Sequence, residues 1–198
     1  MVGSGLSLRR CASLLASLTL TAVGAAAAAV TAAAVTPEPV AALELRNRTY
    51  FTKPPWSVDL ISYYTTVWEP WAEYYFTIEL APDAGASLGA LAITQTRGVD
   101  RWFPFNLSAT RAFLGRPRQA GAAVPVTATF DQDSRTFAIS FPEPVPPGST
   151  LTLVLKPWSN PSMADTYMFA VTAYPAGPNP SPTPLGYGTL RIYMPDRF

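Results

Sequence analysis

Residues 74–80 read YYFTIEL, and the alternation in that run decides the fold class. Tyr74, Phe76, Ile78 and Leu80 fall on one side of an extended chain, and Tyr75, Thr77 and Glu79 on the other, so one face is core and the other wet. Pro82, Asp83 and Gly85 end the strand, and ALAITQT (90–96) repeats the pattern through Leu91 and Ile93 before Arg97-Gly98 breaks it. Further along, Val124, Val126, Ala128 and Phe130 alternate with Pro125 and two threonines. Asp131-Gln132-Asp133-Ser134 then supplies turn chemistry, and Phe137, Ile139 and Phe141 return, which predicts a β-hairpin. PEPVPPG (142–148) is too proline-rich for a sheet interior and is expected as a surface connection or an edge. Period two resumes in Thr150–Lys156, where Leu151, Leu153 and Leu155 alternate with Thr152, Val154 and Lys156, and again in Tyr167–Tyr174 and Tyr187–Met194.

Two stretches break the alternation. Ser57–Thr66 is expected as a short helix capped by Ser57, with an irregular edge strand as the alternative, and Ser108–Gly115 as a single helical turn that Gly115 ends. PAGPNPSPTP (175–184) is expected as a long loop within one domain. Seven or more short strands separated by turns predict an all-β fold, a single immunoglobulin-like β-sandwich with one or two short helical turns. A partly open β-barrel is the alternative.

Composition limits the chemistry. The 198 residues hold no His, so Ser-His-Asp and Cys-His pairs, imidazole bases and the usual zinc sites are excluded. There are 14 Lys+Arg and 13 Asp+Glu; Arg9, Arg10 and Glu38 precede Leu43, leaving 12 of each from Leu43 onward, which provides no electrostatic footprint for nucleic acid. Residues 1–42 have the parts of a secretory signal: Arg9-Arg10, the apolar Leu14–Val23, then a small-residue stretch with small-x-Ala sites between Ala25 and Ala42. The uncharged run Cys11–Val35 could span a bilayer, but more than half of it is Ala, Gly, Ser and Thr and no basic flank follows, so cleavage is expected rather than anchoring. The single cysteine, Cys11, would leave with the leader, and residues 43–198 would form one domain held without disulfides.

Five phrases carry a family resemblance: Phe51-Thr52-Lys53-Pro54-Pro55, YYFTIELAPDAGASL (74–88), FPEPVPPGSTLTLVLKPWSNP (141–161), YMFAVTAYPAG (167–177) and LGYGTLRIY (185–193). Together, and in this order over roughly residues 49–194, they resemble the exported cyanobacterial family called domain of unknown function 2808. The resemblance implies a bacterial envelope protein with no established activity and carries over no functional residue. On that basis the N-glycosylation patterns at Asn47-Arg48-Thr49 and Asn106-Leu107-Ser108 are chance matches.

Trp56, Tyr63, Tyr64, Trp68, Trp71, Tyr74 and Tyr75 place seven rings in twenty residues. Flat aromatic platforms bind sugars and extended polymers, whereas strand aromatics also build cores, and Tyr74 lies on the inward side. Trp68 and Trp71 bracket Glu69-Pro70 in a turn and are the rings expected outside; Trp56, Trp68 and Trp71 are therefore the candidate binding residues. Asp131 and Asp133 lack the glycine and the distant glutamate of a calcium loop, so no metal site is expected there. Among Asp59, Glu69, Glu73, Glu79 and Asp100 spacing alone selects no catalytic pair, and no phosphate loop, nucleophile elbow or metalloprotease helix occurs. The expectation is a non-catalytic exported envelope module without cofactor, binding a surface polysaccharide or a protein from the periplasm, cell surface or thylakoid lumen. A carboxylate-based hydrolase of envelope glycans is the alternative.

Overall fold

The computed structural model describes residues 43–45 and 47–195; the leader expected over residues 1–42 lies outside the described residues. Among the described residues, twelve strands follow in chain order: β1 (Leu43–Leu45), β2 (Arg48–Tyr50), β3 (Val58–Ile61), β4 (Tyr74–Glu79), β5 (Leu88–Arg97), β6 (Arg111–Leu114), β7 (Ala123–Val124), β8 (Thr127–Asp131), β9 (Thr136–Val145), β10 (Thr150–Leu155), β11 (Thr166–Pro175) and β12 (Thr183–Arg191). β1 and β2 form a small hairpin, and the rest form two five-stranded sheets ordered β3-β4-β10-β6-β7 and β12-β11-β5-β9-β8. All pairings within the two sheets are antiparallel. This is the expected β-sandwich rather than a barrel, since each sheet keeps its own two edge strands.

The alternating residues fill the space between the sheets. Tyr74, Phe76 and Ile78 of β4 and Leu151, Leu153 and Leu155 of β10 face Leu91 and Ile93 of β5, Phe137, Ile139 and Phe141 of β9, and Phe169 and Val171 of β11. Phe76 and Phe169 meet edge to face across the layers at 5.8 Å between ring centroids. At one edge the sheets come close enough that a Cβ on Gly188 of β12 would lie 2.8 Å from the Leu60 Cβ of β3.

Several expectations need correction. Residues 58–61 form the edge strand β3, paired with β4 from Val58↔Ile78 to Ile61↔Tyr75, and not a helix; burial of Leu60 against the core outweighs the cap offered by Ser57. Of the second candidate region, Ser108–Gly115, only Ser108 and Ala109 lie in a 3-10 turn, Leu107–Ala109, and Arg111–Leu114 continues as β6 because β10 offers it a ladder. The run expected as one strand from Val124 to Phe130 is divided at Pro125-Val126, where the chain leaves the first sheet as β7 and enters the second as β8. β10 does not alternate wet and dry: Thr152 and Val154 are as buried as the leucines, because β10 is the central strand of its sheet and Thr152 donates to the Gly115 carbonyl at 2.6 Å. β9 continues through Pro142-Glu143-Pro144 to Val145, and the prolines fit because the pairing with β5 jumps from Ala90↔Ser140 to Leu88↔Val145 there. The 131–135 hairpin turn is as expected: the Asp131 carboxylate accepts from the Asp133 amide at 3.0 Å and the Ser134 hydroxyl at 2.8 Å. The proline-rich connection between β11 and β12 is tied down by Ser181, whose amide donates to the Thr49 carbonyl at 2.9 Å.

Candidate functional site

The register places four chain segments at one end of the sandwich. Ile61 pairs with Tyr75, Tyr74 with Leu155, Arg97 with Met168, and Thr166 with Arg191, so the β3–β4, β5–β6 and β10–β11 connections and the segment after β12 emerge together. Backbone bonds brace these segments. Trp68 N donates to Pro161 O at 3.3 Å, Asn160 N to Glu69 O at 2.9 Å, Trp158 N to Pro104 O at 3.0 Å, and Val67 N to Tyr193 O at 2.9 Å. Trp68 is held at φ 59°, a left-handed conformation unusual for a bulky residue and maintained by these cross-links.

Buried polar side chains complete the bracing. Asn160 is 1% exposed and makes three side-chain bonds: it donates to Tyr64 O and Thr66 O at 2.9 and 2.8 Å and accepts from the Tyr74 hydroxyl at 2.8 Å. Burial pushes the Tyr74 phenol well above the usual tyrosine range, so it remains a neutral donor. The Asp100 carboxylate accepts from Trp102 N at 3.0 Å and from Ser162 N and Oγ at 2.9 and 2.8 Å. Burial alone would raise Asp100, but these donors and the Arg135 charge together hold it below the usual carboxylate range. Arg135 is itself buried, donates to Gln95 Oε1 at 2.9 Å and Phe103 O at 3.3 Å, and lies over the Phe130 and Phe103 rings at 4.9 and 5.0 Å. Desolvation lowers its guanidinium to about 10, so it stays charged at neutral pH.

Side chains that belong in a core stand outside on this braced end. Trp68, Trp71, Trp102 and Trp158 are 65%, 70%, 73% and 61% exposed, and Val99, Met163 and Met194 are exposed beside them. Of the three sequence candidates, Trp68 and Trp71 meet here. Trp56 does not: it stands at the opposite end, on the wall of a cavity of about 370 Å³ with Lys53, Glu79, Pro82 and Thr150. Trp102 and Trp158 were missed because they come from connections far apart in the chain. A usable signal was present, since each of the five tryptophans lies within two residues of a proline, outside any central strand position.

The five acids considered for catalysis are each engaged. Arg111 makes a two-pronged contact to Glu73 at 2.9 Å, and this pair holds Glu73 below the usual carboxylate range. Asp59 and Glu79 share Arg116 at the other end, and Glu69 accepts from the Trp71 amide at 3.2 Å. Among the described residues no three His, Cys, Asp or Glu side chains are grouped to hold a metal ion, and no helix is long and apolar enough to cross a membrane.

No curated protein matches the chain. Among solved structures it is similar to BslA, a bacterial hydrophobin, at 18% identity and TM-score 0.38, covering 70% of this chain and 100% of that one. It is also similar to the collagen-binding domain of a Staphylococcus aureus adhesin at 10% identity and TM-score 0.39, covering 72% and 99%. A third similar structure is a DUF4466 family protein from Parabacteroides merdae, at 11% identity and TM-score 0.45, covering 70% and 46%. Nothing about partners transfers at such similarity. The family model described as "Protein of unknown function (DUF2808)" matches residues 48–192, which takes in both sheets and the three connections that carry the exposed indoles of this end, and the chain belongs to that family.

Proposed function

We propose that the protein is a non-catalytic, exported module that binds a component of the cell envelope through its aromatic end. The observation that supports this most directly is the distribution of tryptophan. The core is filled by Phe, Tyr, Leu, Ile and Val, while Trp68, Trp71, Trp102 and Trp158 stand exposed on loops whose backbones are fixed by hydrogen bonds. Ordered, exposed indoles are the residue type that dominates recognition surfaces, because they supply large contact area at low entropic cost. For the hydrolase alternative, two of the acids are poorly suited as general acid, which needs a raised carboxyl pKa: Arg111 bound to Glu73 and the donors around Asp100 hold both carboxyls below the usual range.

The test is a melting curve beside a binding isotherm on isolated envelope fragments, using the double variant Trp68→Ala/Trp71→Ala. A recognition surface predicts a nearly unchanged thermal midpoint with binding weakened by about 1–3 kcal/mol or more. A large loss of stability with unaltered affinity in the folded fraction would assign the two rings to packing.

A further inference from the structure

We infer that the envelope component met by this end is a lipid headgroup layer carrying anionic lipid, into which the four indoles dip from the side of the water. The inference rests on the aromatic end being a recognition surface, and four observations choose lipid over a glycan.

The first is the backbone. The N–H groups of all four exposed tryptophans are donated inside the protein: Trp68 to Pro161 O, Trp71 to Glu69 Oε1, Trp102 to Asp100 Oδ1 and Trp158 to Pro104 O. The Val99 amide likewise donates to Asp165 Oδ2 at 3.0 Å. A loop tip entering a poorly hydrated layer gains from paired amides, and the amides of these five exposed apolar residues are paired. The second is the company the indoles keep. Exposed Val99, Met163 and Met194 add apolar surface that sugar hydroxyls do not seek, while Tyr64 and Tyr193 are exposed near them; tryptophan and tyrosine with aliphatic neighbours is the composition of a water–lipid boundary.

The third is the use of the polar side chains. Recognising a sugar takes carboxylates and amides aimed outward, but Asp100, Glu69, Asp165 and Asn160 are turned to the loop backbones. The fourth is charge. Arg97, Arg101, Lys156 and Arg191, at the ends of strands or in the connections on this side, have no ion-pair partner among the described residues, and these four cations outnumber Asp100, Glu69 and Asp165, which keep their charge while accepting hydrogen bonds. Cations beside an apolar tip complement anionic headgroups, each Lys or Arg adding to surface binding.

The experiment uses the full chain and vesicles of phosphatidylcholine with or without phosphatidylglycerol. All the tryptophans lie between Trp56 and Trp158, so indole emission reports this fold and not residues 1–42. Expected are a blue shift on mixing, quenching by lipids brominated in the acyl chain, stronger partition with phosphatidylglycerol that added salt weakens, and a loss of about tenfold or more in Trp68→Ala/Trp71→Ala. Trp56, at the far end, should stay open to aqueous iodide, so in Trp56→Phe, which keeps the four indoles, vesicles should shield nearly all the remaining emission from iodide. Co-sedimentation with vesicles without a blue shift or acyl-chain quenching would overturn the lipid assignment. So would failure to bind vesicles while binding to cell-wall polysaccharide remains dependent on Trp68 and Trp71, an outcome that keeps the recognition surface. If neither binding depends on those two residues, both readings fall.

Discussion

Asn160 ties together segments that lie far apart in the chain. Its side chain and its amide bind Tyr64, Thr66, Glu69 and Tyr74, so Asn160→Ala removes every side-chain partner at once and leaves buried groups unpaired. Each such group costs about 1–3 kcal/mol, and the urea midpoint should fall accordingly, with the Trp68 loop the first to lose protection in hydrogen exchange. Arg135→Ala opens a hole among Phe103, Phe105 and Phe130 and should cost about 2–5 kcal/mol by the same measurement. Acid should also unfasten this end. Asp100 and Glu73 have folded-state pKa values below their unfolded ones, so the unfolded chain binds more protons as the pH falls. Their contribution is complete above the ordinary carboxylate range near 4 and is lost as the pH drops through the lowered folded values. Denaturant midpoints at neutral pH and near pH 3 should show this loss, and Asp100→Asn should flatten part of the slope; an unchanged slope would mean that Asp100 is not the group being titrated.

Strands with a clear alternation of residue types were readable in the sequence, and the shortest strands were not. The hairpin of β8 and β9 has one apolar and one polar face, so its alternation showed the inward side, and the register, Phe130↔Phe137 and Ala128↔Ile139, brings the apolar residues of that side opposite one another. Ile139 is 1% exposed between Phe137 and Phe141, and Ile139→Ala should cost about 2–5 kcal/mol; a neutral result would mean a one-residue slip of the hairpin. β3 and β6, four residues each, offer too little contrast for periodicity to reveal, and their strand character comes from the neighbours they pair with, whereas β10 was legible as a strand through Leu151, Leu153 and Leu155 but not as one covered on both faces. The close approach of β12 to β3 is likewise a tertiary fact. Gly188→Val would push a branched side chain against Leu60 and Phe76, and the expected loss, about 1–3 kcal/mol, is read from a thermal midpoint.

Across the whole molecule the five tryptophans are all on the surface, at 61–83% exposure. Native emission should therefore already resemble solvated indole and shift little in urea, while far-ultraviolet circular dichroism reports a full transition; a strong red shift on unfolding would contradict the arrangement. Reductant should leave that transition untouched, since the chain has one cysteine and can form no internal disulfide. Half of the candidate site was legible because Trp68 and Trp71 share a turn, whereas Trp102 and Trp158 join them only through strand register. That same register gives the fold a head and a tail. The β1–β2 hairpin is held by Pro180 and its neighbours, at the end where Leu88 pairs with Val145 and Pro175, while Tyr193 and Met194 leave beside the indoles. A molecule grafted to a support through the side of Leu43 thus points its tryptophans outward like a brush, and one grafted through Met194 presses them against the support. The direction of attachment decides whether such a coating is greasy or wettable.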